Sequence, residues 1–301
     1  MRFVDCHLHF VLEHLEEFIG SFDELGLSGA WNIAGIQSGE ETDFRTLVTE
    51  SARRGVHTFY WPQWKELTDQ AYPQRLVRQI DELARGGIRG LKVWKDMGLG
   101  LTDPAGKLMM LDDERLNPVW EKLIERNLIL TAHVADPASF WLPLDASNPA
   151  YETLKTHPQW HFGKPGLPGR SQLFEARDRL HQRYPDLLIV NSHCGGYAES
   201  LRQLGEWMDN MPNFHATIGW KHIAEDDPDI ATFFHRHGHR VMFETDLGLR
   251  RGRKPDLAWN RDMYAKATGA FTRLLEPLGR HVLENFAHAN GEHLMAVRRG
   301  V

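Results

Sequence analysis

Eight short apolar runs alternate with segments of helical periodicity along the chain, which predicts an α/β fold of the (β/α)8 TIM barrel type. Two further observations agree. The polar residues best suited to chemistry sit at the ends of the runs, where such a barrel keeps its active site. The length of 301 residues suits one barrel, so residues 1–301 are taken as a single domain.

The first predicted strand covers residues 2–7, and the stretch "VDCHLHF" continues to residue 10. Alternate residues of a strand share a face, so Asp5, His7 and His9 lie on one side and Val4, Cys6 and Leu8 on the other. Two imidazoles two residues apart at a strand end make a pincer for a metal ion. Asp5 either orients one of them or bonds to the strand backbone. The remaining strands are 30–36 ("AWNIAGI"), 56–61, 87–94, 128–134, 187–194, 213–219 and 240–246.

Helices fill the intervals. Those in 42–55 and 71–87 stop at glycine, and that in 111–127 opens on acidic residues with an early Pro118. The helix in 171–185 is expected to start at an N-cap serine, Ser171, and to end at a proline. An open doubly wound sheet is the rival fold, but no glycine-rich dinucleotide fingerprint follows the first strand.

The strand ends collect the remaining candidates. Lys92 lies near the end of strand four, His133 ends strand five, His193 ends strand six and Asp246 ends strand eight. By parity Lys92 faces away from Leu91 and Val93, while Met242, Glu244 and Asp246 share a side. An inward Glu244 needs a partner, for which Lys92 is available. Cys6 and Cys194 adjoin these residues with opposite parity and are read as packing residues.

Composition narrows the class. A formal charge of -6 argues against a nucleic-acid surface. No apolar run spans a membrane or has the layout of a leader, and two cysteines make no disulfide framework, so a cytoplasmic location is expected.

The motifs "DCHLH", "TAHVADP", "VNSHCGG" and "FETDLG", in that order, with "ENFAHANGEHLM" near the end, resemble the amidohydrolase superfamily. The resemblance is to the branch holding aminocarboxymuconate semialdehyde decarboxylase and related hydrolases. It implies a metal site at the C-terminal ends of the strands, with His7, His9, His133 and Asp246 ligating one divalent ion, usually Zn2+. His193 and Asp246 are then the catalytic pair. Three imidazoles and a carboxylate suit zinc and leave a position for water or substrate. Lys92 has three readings: a carboxylated lysine bridging a second metal, a cation gripping a substrate carboxylate, or an ion-paired barrel lysine.

Two long loops, about 95–113 and 135–170, are expected to cover the site. Trp94, Trp141 and Trp160 are candidate walls, and Arg250 in "LRRGRKP" is a candidate attractor for an anionic substrate. The histidines of "HRHGHR" precede strand eight, at the opposite end of the barrel.

The expected reaction is metal-dependent hydrolysis of an amide, ester or lactone in a small polar or carboxylated substrate. The alternative is non-oxidative decarboxylation of a small aromatic or unsaturated acid, which needs the same residues. Barrel nucleases typically place a glutamate on strand four, so Lys92 and the acidic charge count against them. Partners beyond the small-molecule substrate are not expected, apart from a second copy of the chain, since the resemblance suggests a dimer.

Overall fold

The computed structural model describes residues 1–35, 41–249 and 255–297. Among the described residues a single parallel sheet of nine strands runs in the order β8-β7-β6-β5-β4-β3-β2-β1-β9. Its strands are β1 (Phe3–Phe10), β2 (Leu27–Gly35), β3 (Val56–Trp61), β4 (Gly90–Val93), β5 (Ile129–Ala132), β6 (Ile189–Asn191), β7 (Phe214–Ile218), β8 (Val241–Phe243) and β9 (Leu247–Leu249). Every pairing is parallel. Parallel strands need crossovers, and helices such as Tyr72–Gly86, Asn117–Glu125, Arg170–Arg183 and Leu201–Asn210 supply them.

β8 and β9 are neighbours in the chain yet stand at opposite ends of the strand order, so the sheet is curled. The predicted eighth strand, 240–246, is therefore divided. Its first part pairs with β7 through Ala216 to Ile218, and Glu244 N still donates to Ile218 O at 3.2 Å. Asp246 then adopts φ 57° and donates its N–H to His7 O at 2.8 Å, and β9 pairs with β1 from Leu8 onward. A left-handed residue at this point turns the backbone from one neighbour to the other.

Strict alternation fails in β1. Its register against β2 shifts between Asp5 and Leu8, a bulge that re-aims side chains. Asp5 leaves the face of the histidines and accepts from Tyr264 Oη (2.6 Å), on the helix Leu257–Leu275, and from Thr245 Oγ1. It also accepts from the backbone N–H groups of His7 and Thr245, both at 3.1 Å. Burial raises the Asp5 carboxyl to about 7, against these bonds.

Val4 and Cys6 instead pack with Trp31, Ile33, Phe59, Ile129, Val190 and Met242 in a small inner cluster. Trp31 stacks on Phe59 at 5.1 Å in that cluster. Both cysteines are free and buried, as packing residues should be.

Gly90 shows how tightly the strands meet: a Cβ there would lie 2.2 Å from Ile129 O and 2.5 Å from the Phe59 ring. The helix expected to be capped by Ser171 starts two residues earlier. Gly169 is its N-cap, and its N–H donates to Gln172 Oε1 at 2.9 Å. The "HRHGHR" stretch ends the helix Ile230–His237 and leads into β8, away from the strand C-termini. No helix among the described residues is long and apolar enough to cross a membrane.

His181 of the helix Arg170–Arg183 is buried between Asn213 Oδ1 (3.0 Å) and Asn191 Nδ2 (3.2 Å). Burial and the nearby Arg177 push its pKa down to about 3. Unfolded histidine takes a proton near 6.5, so the unfolded chain is protonated first. The stability from this residue is complete at neutral pH and drains away as the pH falls below that value. Between about pH 7.5 and about pH 5 the wild type is expected to lose about 2 kcal/mol more than His181→Gln. Urea unfolding at the two pH values checks this, and equal losses would contradict it.

Candidate metal centre and active site

The C-terminal ends of the strands surround a cavity of about 870 Å³. Its base is built by His7 and His9 of β1, Lys92 of β4, His133 just past β5, His193 just past β6, and Asp246 between β8 and β9. Higher up it is lined by Trp61, Trp94, Lys95, Asp136, Phe140, Trp160 and Tyr197.

His9 carries the most informative contact. Its Nδ1 lies 2.8 Å from Ile33 O, which only a protonated nitrogen can satisfy, and its Nε2 lies 3.0 Å from Asp246 Oδ1. With Nδ1–H fixed, a neutral ring turns a lone pair toward a carboxylate lone pair. That pairing is favourable only with a cation shared between them, either a second proton or a metal ion. The donor chemistry therefore fits a divalent metal.

His7 stands beside this pair, its Nε2 3.8 Å from Asp246 Oδ1 and 3.2 Å from Lys92 Nζ. Its Nδ1 is buried without a hydrogen-bond partner, 3.5 Å from Glu244 Oε2. Burial first, then Lys92 and His193, push His7 well below the usual histidine range, which keeps the ring neutral and able to ligate. Burial opposes ionisation of Asp246, but His193, His9 and His7 outweigh it and hold the carboxyl well below its ordinary value.

Ligand atoms of His7, His193 and Asp246 lie within 4.8 Å of one another, and so do those of His193, His222 and Glu244. His133 belongs to neither group. Its Nε2 is 3.1 Å from Asp136 Oδ1, and burial with neighbouring His193 pushes it down to about 3, so it is neutral. Its ring nevertheless packs on His193 with centroids 4.4 Å apart. A carboxylate behind an imidazole fixes the tautomer and leaves Nδ1 as the lone pair. Asp136 in turn pairs with Lys95.

The backbone that presents His193 is unusual. His193, Cys194, Gly195, Gly196 and Tyr197 all have positive φ, a left-handed turn that is costly at the three non-glycine positions. A Cβ on Gly195 would meet Leu204 Cδ1 at 2.7 Å, so this position requires glycine for space as well as for φ. Arg177, fully buried, stacks on Trp207 (4.1 Å) and donates to Gly195 O at 2.8 Å, which holds the turn.

Glu244 finds its partner here, and not in Lys92 as the parity argument suggested. Its Oε1 accepts from His193 N (3.0 Å) and Nδ1 (3.1 Å), and its Oε2 accepts from Thr217 Oγ1 at 2.6 Å. Three convergent donors from β7 and the turn after β6 outcompete one distant ammonium. Burial works against charge on His193, but Glu244 and Asp246 hold it above the usual range, so it carries a proton readily. Lys92 is buried with Nζ 3.3 Å from Ser192 Oγ, and burial pulls it down to about 8.

Of the expected walls, Trp94 and Trp160 line the cavity, and Trp141 does not. The Trp141 indole donates to Pro168 O at 2.9 Å and packs on Phe162, anchoring its own loop. Arg250 lies outside the described residues. Trp61, Lys95, Asp136, Tyr197 and His222 were missed. Trp61 and Asp136 had a signal, the first as the last residue of a strand and the second three residues after His133. Tyr197 owes its place to the left-handed turn, which puts its ring 5.5 Å from His193 and 6.0 Å from His133.

A sequence model of the amidohydrolase family matches residues 4–292. No curated protein matches the sequence. Among solved structures, a probable 2-pyrone-4,6-dicarboxylic acid hydrolase from Acinetobacter baumannii aligns over 98% of this chain and 100% of its own, with a TM-score of 0.58 and 11% identity. A 5-carboxyvanillate decarboxylase from Novosphingobium aromaticivorans, complexed with manganese, aligns over 98% and 96% with a TM-score of 0.57 and 14% identity. A 2,6-dihydroxybenzoate decarboxylase from Rhizobium aligns over 99% of both chains with a TM-score of 0.55 and 14% identity. Likeness at these identities speaks for the fold alone.

Proposed function

This chain belongs to the amidohydrolase family, and we propose that it is a metal-dependent hydrolase cleaving an amide, ester or lactone of a small carboxylated substrate. The reading takes the curled sheet as a closed eight-unit barrel in which β8 and β9 are two halves of one strand. The observation that carries it is His9 Nε2 facing the ionised Asp246 at 3.0 Å, an arrangement suited to a shared cation. His7, His9, His133 and Asp246 would hold the ion, with zinc the choice that suits their donor set. When bound, such an ion supplies Lewis acidity, acidifying water and polarising a carbonyl.

The remaining chemistry falls to the chain itself. Asp246, kept ionised, accepts the proton lost by the attacking water. His193, tied through Nδ1 to Glu244, presents Nε2 to the substrate and delivers its proton to the leaving group. Asp136 holds His133 in one tautomer. Lys92 neutralises the substrate carboxylate at the base of the cavity.

Decarboxylation is the second reading, favoured by the tryptophans above the base, which suit a flat aromatic acid. Release of carbon dioxide from a panel of aromatic acids would decide for it over hydrolysis.

Elemental mass spectrometry of protein freed of loose ions tests the metal reading. One equivalent is expected in the wild type, lost in His7→Ala and His133→Ala and retained in His193→Ala, whose turnover nevertheless collapses. Two equivalents would reassign Lys92 as a carboxylated bridge. Absence of stoichiometric metal after reconstitution would end the proposal.

A further inference from the structure

Three residues from two connections form a buried chain behind the metal centre. Lys95 follows β4, His133 and Asp136 follow β5, and all three line the cavity. Asp136 uses both carboxylate oxygens. Its Oδ1 lies 3.1 Å from His133 Nε2, and its Oδ2 accepts from Lys95 Nζ. Lys95 is only 6% exposed and Asp136 only 3%. Charged side chains sink this far when each satisfies the other.

The Lys95 ammonium has a second set of neighbours. It is enclosed by the rings of Trp160 (4.9 Å), Trp94 (5.4 Å), Phe162 (5.6 Å) and Phe140 (6.0 Å). Trp94 precedes Lys95 in the chain, but the other three rings come from the long connection between β5 and the helix Arg170–Arg183. That connection closes on itself at the cage. Phe162 N donates to Phe140 O at 2.8 Å, and the Phe140 and Trp160 rings lie 12° from parallel. A Cβ on Gly163 would stand 2.4 Å from Trp141 O, so the two arms meet too closely for a side chain there. Ring faces attract an ammonium, more strongly once it is desolvated. The neck of the connection therefore rests on the same cation that pins Asp136.

Removing that charge has a definite consequence. Without Lys95, Asp136 Oδ2 carries an unpaired charge in a buried position, which is costly. The carboxylate lines the cavity and can turn toward water there, which withdraws Oδ1 from His133. His133 then loses the acceptor that fixes its tautomer and the orientation of its ring.

We infer that Lys95 is a positioning residue that couples the connection after β5 to the metal ligand His133 through Asp136. The inference rests on the proposed metal site. Such coupling is reciprocal: an ion on His133 firms the neck, and a firm neck favours the ion.

The probe is Zn2+, titrated into the metal-free full chain in competition with a chromogenic chelator. Lys95→Met keeps the reach of the side chain without its charge and is expected to weaken zinc about tenfold, with Lys95→Arg recovering part of the loss. In an Asp136→Asn background the same Lys95→Met change should alter the affinity less than about twofold, because the lysine acts through that carboxylate. Hydrogen exchange gives a readout that mere space-filling would not move. Zinc should slow exchange of the Phe162 amide about threefold or more in the wild type and leave it unchanged in Lys95→Met.

Unchanged or tighter zinc binding in Lys95→Met would overturn the inference, as would additive effects of the two replacements. So would Phe162 exchange in the wild type that ignores zinc. His133→Ala separates this from a failure of the metal site. If it loses zinc while Lys95→Met keeps it, the site stands and the coupling falls; if it binds zinc as the wild type does, both fall.

Discussion

Asp246→Asn is expected to lower turnover by about a thousandfold or more, with little change in thermal stability. The carboxylate is the one group within hydrogen-bond reach of His9 Nε2 among the described residues, and it also faces His7. An amide of the same shape can still hydrogen-bond to His9 Nε2, so the fold should survive. It cannot accept a proton from water at neutral pH, and it is a poorer metal ligand. Under the proposed hydrolytic reading, turnover of an amide, ester or lactone substrate gives the rate, and metal content and thermal midpoint accompany it. A variant retaining both metal and turnover would remove Asp246 from the mechanism.

Glu244→Ala should produce the largest loss of stability, about 3–5 kcal/mol. Glu244 is completely buried and accepts from three donors, so truncation leaves the His193 N–H, the His193 ring and Thr217 without partners in a new cavity. The turn after β6 already holds strained left-handed residues and depends on such anchoring. Glu244→Gln preserves the volume and should recover part of the stability while weakening the hold on His193. Urea unfolding of metal-free protein measures both variants. Near-wild-type stability in Glu244→Ala would mean that the carboxylate is not what anchors the turn.

Much of the site was legible in the sequence because it is organised by strand ends. The strand–helix alternation, the histidines of "DCHLHF" and the strand-end positions of Lys92, His133, His193 and Asp246 follow from local periodicity. In a parallel α/β sheet those ends come together whatever the details of the strands between them. The cavity accordingly brings all six residues to its base.

Tertiary structure decided what local periodicity cannot encode. The bulge in β1 turns Asp5 away toward Tyr264, 259 residues distant, a partner no pattern in β1 announces. The break between β8 and β9 exists because one segment must pair with both β7 and β1 as the sheet curls. Glu244 chooses His193 and Thr217 over Lys92 because the left-handed turn delivers two donors from one residue. Trp141 and Trp160 sit in one loop with the same composition around them, yet only the second faces the cavity. Residue type and strand position thus determined which groups gather at the base of the cavity. Which way each one points was settled by hydrogen bonds and packing between segments far apart in the chain, since backbone strain at a bulge or a left-handed turn is tolerated only where such contacts outweigh it.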